Sequence, residues 1–106
     1  MYQIQITKRA ERDIGDALDD ISETLHNPAA ARNLLDEAER KLASLSDYPE
    51  RNPLVHDAIL AANGIRIQII ENDIAFYIIS DAAKTVTVIR FMHSRRNWMS
   101  ILKNDL

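Results

Sequence analysis

Val86-Thr-Val-Ile-Arg-Phe-Met-His-Ser-Arg-Arg-Asn-Trp98 is the stretch that decides how this chain is read. It begins as a strand pattern: Val86, Val88 and Arg90 interleave with Thr87, Ile89 and Phe91. Apolar side chains on both faces mark a strand that lies centrally and is covered. Beyond Phe91 the character changes to a basic, aromatic-tipped corner of His93, Arg95, Arg96 and Trp98. No acidic residue falls between Asp81 and Asp105.

Moving upstream, Ile74, Phe76 and Ile78 interleave with Ala75, Tyr77 and Ile79, a second strand that is apolar on both faces. Before it, Ile65, Ile67 and Ile69 alternate with Arg66 and Gln68. Short turns at Glu71-Asn-Asp73 and at Ser80 to Lys84 join the three into an antiparallel meander. Residues 47–64 carry Pro49, Asn52-Pro53 and Asn63-Gly64 and form a longer connection than most. Ile59, Leu60 and Ala61 are expected to pin it to the core.

Two helical stripes precede the connection. Ala31, Leu34, Leu35, Ala38, Leu42 and Leu45 give one, opened by Asn27 as cap and Pro28 at the first helical position and stopped by Asp47-Tyr-Pro49. Ala10, Ile14, Ala17, Leu18, Ile21 and Leu25 give the other, from about residue 8 to 25, with Thr7 as its cap. Asp13, Asp16, Asp19, Asp20 and Glu23 are read as its solvated outer face. Gly15 costs this helix up to about 1 kcal/mol, and close helix packing would be the reason to keep it. The short link between the helices makes them an antiparallel hairpin. At the start, Tyr2, Ile4 and Ile6 alternate with glutamines as a short strand. At the end, Trp98, Ile101 and Leu102 space as an amphipathic helical tail. The fold class is therefore α+β, strand–helix–helix–meander–short helix, with the helical hairpin on one face of a small sheet.

The 106 residues make a single domain, residues 1–106, able to bury one core without staples. There is no cysteine, which removes disulfides and thiolate metal sites. His26, His56 and His93 are scattered, so neither a metal nor another cofactor is expected. With only Gly15 and Gly64 there is no phosphate-cradling loop. The start lacks the apolar run of a signal peptide, and no run approaches a membrane span, so a soluble, cytoplasmic protein with no membrane partner is expected. The net charge of −3 is uneven. Residues 1–64 hold 7 basic and 12 acidic side chains, and residues 65–106 hold 6 and 4. A negative partner would thus meet the C-terminal half.

Arg66, Tyr77, Arg90, His93, Arg95, Arg96 and Trp98 are the side chains able to carry chemistry. Arginine forks onto phosphate or carboxylate, and histidine moves protons near neutral pH. Each also has a structural reading. Arg66 and Arg90 suit ion pairs with acids such as Glu71 or Asp73. Arg95 and Arg96 suit a solvated corner, Trp98 a plug that docks the tail, and Tyr77 a core ring with its hydroxyl at a rim.

The chain resembles the RelE/ParE superfamily of toxins from toxin–antitoxin pairs. The resemblance runs through Ile6-Thr-Lys-Arg-Ala-Glu-Arg-Asp-Ile14, Ala30-Ala-Arg-Asn-Leu34, Leu45-Ser-Asp-Tyr-Pro49 and Gly64-Ile-Arg66. It is sharpest at Ile74-Ala-Phe-Tyr77 and Val88-Ile-Arg-Phe-Met-His93 with Arg95-Arg96. It implies a growth-arresting toxin of the plasmid-stabilisation kind, held by a cognate antitoxin. Two activities occur in the superfamily. RelE-like members cut mRNA on the ribosome, and ParE-like members poison DNA gyrase without being nucleases. Where RelE-like nucleases typically carry an arginine two residues before the tyrosine, this chain has Ala75. Its blocks look more like the ParE pattern. The resemblance thus implies a gyrase inhibitor whose target-binding residues are Arg90, His93, Arg95, Arg96 and Trp98. The alternative is a ribosome-dependent mRNA endonuclease with Arg66, Arg90 and His93 as its catalytic set. A non-toxic member kept for autoregulation is a third reading.

Overall fold

In the computed structural model, which describes residues 1–106, the meander forms where the alternation placed it. Strand β2 spans Arg66–Ile70, β3 Asp73–Ser80 and β4 Thr85–His93, each antiparallel to the next. The opening strand β1, Gln3–Ile6, adds to the outer side of β4 and runs parallel to it, with Gln3 level with Thr85 and Ile6 with Val88. The sheet order is β1-β4-β3-β2, so the two strands that are apolar on both faces take the centre.

Thr7 starts helix α1, Lys8–Asp19, by accepting the Ala10 N–H on its hydroxyl at 3.1 Å. The run then widens into one π-helical turn, Asp20–Thr24, and ends a residue short of Leu25. Asn27 accepts from the Ala30 N–H and opens helix α2, Pro28–Ser44. The two helices lie on one face of the sheet. There Ala10, Leu34, Ala38, Leu42 and Leu45 pack against Ala75, Tyr77, Val86, Val88 and Phe91. Burying each large side chain of this set contributes roughly 1.5–3 kcal/mol. Close packing does not explain Gly15, because a Cβ added there would meet nothing within 4 Å.

The other face has a second core, in which Val55, Leu60 and Ile65 meet Ile74, Phe76, Met92 and Leu102. The long connection supplies Val55 and Leu60. A 3₁₀ turn at Pro49–Arg51 leads to the short helix α3, Ala58–Ala62, in which the Ile59 and Leu60 N–H groups donate to the capping Asp57 carboxylate at 3.0 Å each. Of the three residues expected to pin this segment, Leu60 is buried and Ile59 is exposed. The tail, helix α4 at Trp98–Asp105, closes this face through Leu102 and Trp98. No helix is long and apolar enough to cross a membrane.

Simple alternation fails at one place in β4. Phe76 pairs with Arg90 but Tyr77 pairs with Val88, leaving Ile89 as an extra residue. Thr7 takes up the carbonyl of this bulged residue, its hydroxyl donating to Ile89 O at 3.2 Å. The inserted residue changes the phase of the strand. Val86, Val88 and Phe91 therefore face the helical hairpin, whereas Ile89 and Met92 pack with the second core. Arg90, opposite Phe76, moves to the α4 side instead of continuing the Val86–Val88 row.

Candidate functional site

Arg90 is the most enclosed cation of the chain, 2% exposed. Its Nε donates to Asp13 Oδ2 at 2.7 Å and its Nη1 to Asp105 Oδ2 at 2.8 Å. Asp13 also accepts the Phe91 backbone N–H at 3.0 Å. One guanidinium thus ties α1, β4 and α4 together. Burial disfavours its charge, but the hydrogen bonds to Asp13 and Asp105 outweigh that and hold its pKa above the ordinary value. The sequence supplied the structural reading but different acids. Asp13, read as part of the solvated face of α1, points inward. The signal was there: Asp13 lies three residues after Ala10 and four before Ala17, inside the apolar stripe.

Arg66 is engaged elsewhere. Its Nη1 donates to the carbonyls of Asn52 at 2.7 Å and Glu50 at 3.4 Å, fastening the connection. Tyr77 works beside it. Its ring is buried and its hydroxyl donates to Pro49 O at 2.6 Å, and burial pushes the phenol pKa up. Arg66 pairs with Tyr77 on the hairpin side of the sheet, whereas Arg90 pairs with Phe76 on the opposite side. His93 is level with Asp73, four residues along β3 from Tyr77, or about 14 Å at 3.4 Å per residue. The three residues expected to form a catalytic set therefore do not converge on one point.

The corner after β4 is different. His93, Arg95 and Arg96 are exposed, and neither arginine forms an ion pair. The Arg95 backbone N–H donates to His93 Nδ1 at 3.1 Å, which leaves Nε2 as the ring atom available to a partner. Trp98 packs inward at the base of the corner, tilted 42° against Phe76 with ring centres 5.2 Å apart. It braces the corner on the second core.

Beside His93 lies a cleft of about 290 Å³ between α1 with its π-helical turn and the paired ends of β3 and β4. Asp13, Asp16 and Asp20 line one wall; Asp73, His93 and Arg96 line the other. Sequence reasoning missed this cleft, because Asp73 reads as a turn residue and Asp16 and Asp20 as a solvated helix face. Asp73 is 6% exposed, and desolvation, partly offset by the neighbouring His93, raises its pKa. A phosphate approaching His93 from this side would meet carboxylates.

Comparison with known proteins agrees with the architecture. No curated protein matches in sequence. The chain is similar in structure to a toxin–antitoxin system described as chromosomal ParDE from P. aeruginosa. That match has TM-score 0.68 and 18% identity, covering 88% of this chain and 96% of that one. It is also similar to the RelBE2 complex of Mycobacterium tuberculosis, with TM-score 0.59, 20% identity and coverage of 87% and 96%. The intact E. coli RelBE complex matches with TM-score 0.58, 15% identity and coverage of 91% and 100%. At these identities the likeness is one of fold. The model of the family described as the ParE toxin of the type II toxin–antitoxin system parDE matches residues 4–98. With that match over most of its length, and with the RelE/ParE sheet and helical hairpin in place, the chain belongs to the ParE toxin family.

Proposed function

We propose that this chain arrests growth as a binding poison of DNA gyrase, acting in the cytoplasm through the corner formed by His93, Arg95 and Arg96, with Trp98 as its brace. The observation that carries this reading is the dispersal of the cations. Cleaving RNA by 2′-hydroxyl attack needs a base, an acid and a cation around one phosphate. Arg66 holds a loop, Arg90 is neutralised in the interior, and His93 borders an acidic cleft. Ala75, where an arginine would stand in a RelE-like nuclease, is wholly buried against the helical hairpin. Arg95 and Arg96 keep free guanidinium groups, suited to acidic groups on a large target.

A cognate antitoxin would be met by a different surface, one that carries neither His93 nor the corner arginines. Ile4, Ile6, Ile14, Leu35, Ala38 and Leu42 line an apolar groove of about 610 Å³ between β1 and α2, with Glu39 on its wall. Gln3 and Thr7 donate their N–H groups to the β4 side, so those of Ile4 and Ile6 face outward along a free edge. A segment with one apolar face could lie in this groove or pair with the strand.

The test is induction of the chain in a bacterium, with gyrase-linked DNA breaks and mRNA ends mapped in parallel. DNA breaks with intact mRNA are expected. Codon-phased mRNA ends without DNA damage would replace this reading with a ribosome-dependent endonuclease.

A further inference from the structure

We propose that the cleft beside His93 is a receptor for a single arginine side chain presented by a partner protein. The buried Asp73 carboxylate makes no hydrogen bond or ion pair inside the protein, yet it lines the cleft. By contrast, the other buried charge, Arg90, is fully engaged by Asp13 and Asp105. What remains of the exposure of Asp73 opens onto the cleft, so a charged ligand entering there would supply the partner that the carboxylate lacks.

Three further features select the ligand. Asp16 and Asp20 are four residues apart in sequence and look onto the same opening, so the site offers carboxylates on both walls. Ala17, Ile21 and Met92 supply apolar surface for methylene groups, the arrangement a long basic side chain uses. About 290 Å³ has room for an entire arginine side chain. The negative walls exclude phosphates. No group of three His, Cys, Asp or Glu side chains is placed to hold a metal, whereas a planar guanidinium can bridge two carboxylates without a closed coordination sphere. Arg96 also lines the cleft, on the wall of Asp73 and His93, and forms no internal ion pair, so its flexible side chain can swing out as a ligand enters.

The inference rests on the function proposed above only in expecting a protein partner. The contact itself is tested without one. Isotope-labelled full-length protein is titrated with N-acetyl-arginine amide, and with N-acetyl-citrulline amide as the uncharged isostere, while side-chain and backbone NMR signals are followed. The expected result is saturable shifts at Ile21, Met92 and His93 with the arginine compound, at least tenfold weaker with citrulline and lost in Asp73→Asn. Asp36→Asn, on α2 away from the cleft, should leave them unchanged. If Asp73→Asn does not fold, the rim variant Asp16→Asn/Asp20→Asn takes its place and should weaken binding at least several-fold. Absence of saturable shifts, equal response to citrulline, or full binding by the Asp73 variant would overturn the proposal. So would broadening of the same signals by Mn²⁺ alone with no response to arginine. Growth arrest is read separately, so the two hypotheses fail independently.

Discussion

Arg90 and the pair Arg95–Arg96 lie within seven residues of one another, carry the same side chain and have opposite fates. Arg90 is enclosed between α1, β4 and α4 with both ends of its fork occupied. Arg95 and Arg96 are exposed and form no ion pair, although Arg96 borders the acidic cleft. The difference teaches that charge in this stretch divides by depth. The interior arginine fixes where the strand end sits, and the exposed ones are left to meet something else. Buried pairs hold geometry because removing one partner strands the other charge, whereas exposed charges add little to stability.

The contrast can be broken most severely at Arg90. Arg90→Ala removes the main partner of the buried Asp13 carboxylate and is expected to cost about 3–5 kcal/mol in urea unfolding. The double change Arg90→Leu/Asp13→Leu should recover most of that loss, and failure to do so would mean that the Asp13 contact to the Phe91 N–H matters more than the pair. Trp98→Ala comes next. The ring packs on Phe76 but keeps some exposure, so a loss toward the low end of the 3–5 kcal/mol of a core tryptophan, about 3 kcal/mol, is expected, measured the same way. A gain is expected at Gly15→Ala, about 0.5–1 kcal/mol in α1, the helix that delivers Asp13 to Arg90.

The Asp73 carboxyl adds a pH-dependent case. Its folded pKa lies above the unfolded value, so the folded state binds the proton more readily. Ionised Asp73 therefore costs stability at neutral pH, and the cost fades as pH falls through the folded pKa. Asp73→Asn should raise the urea midpoint at pH 7 and lose that advantage near pH 4. A gain of equal size at both values would contradict a titrating origin. The smallest effect on stability is expected at the exposed corner. Arg95→Ala and Arg96→Ala should each stay within about 0.5 kcal/mol of the parent, yet together abolish growth arrest. Retained toxicity in the double variant would remove the corner from the proposed function.

Much of the fold was legible because the meander and the two stripes are local patterns. Ile74 to Ile79 and Val86 to Phe91 announce central strands, and Asn27-Pro28 announces a restart. What stayed hidden depends on distant partners. The four residues of β1 do not reveal that they pair in parallel with a strand about eighty positions away. The bulge at Ile89 carries no glycine to mark it, so Arg90 is assigned to the wrong side by simple alternation. The acids that satisfy Arg90 come from residues 13 and 105, neither near it in sequence. The corner residues were visible as chemistry-bearing types, but the cleft was not, because Asp73 becomes a wall only when α1 is laid across the sheet end.

The parallel pairing of β1 with β4 also governs the order in which this chain can become itself. Thr7 finds Ile89, and Arg90 finds Asp13, across separations of 82 and 77 residues. The first strand to be synthesised therefore waits for the last. Until residues 85–93 are available, the helical hairpin has only an incomplete sheet to cover, and β1 has no neighbour. Contacts this distant slow folding, since the loop must close before they contribute. The exposed corner follows directly on β4, so its placement on the finished surface belongs to the final stage of assembly.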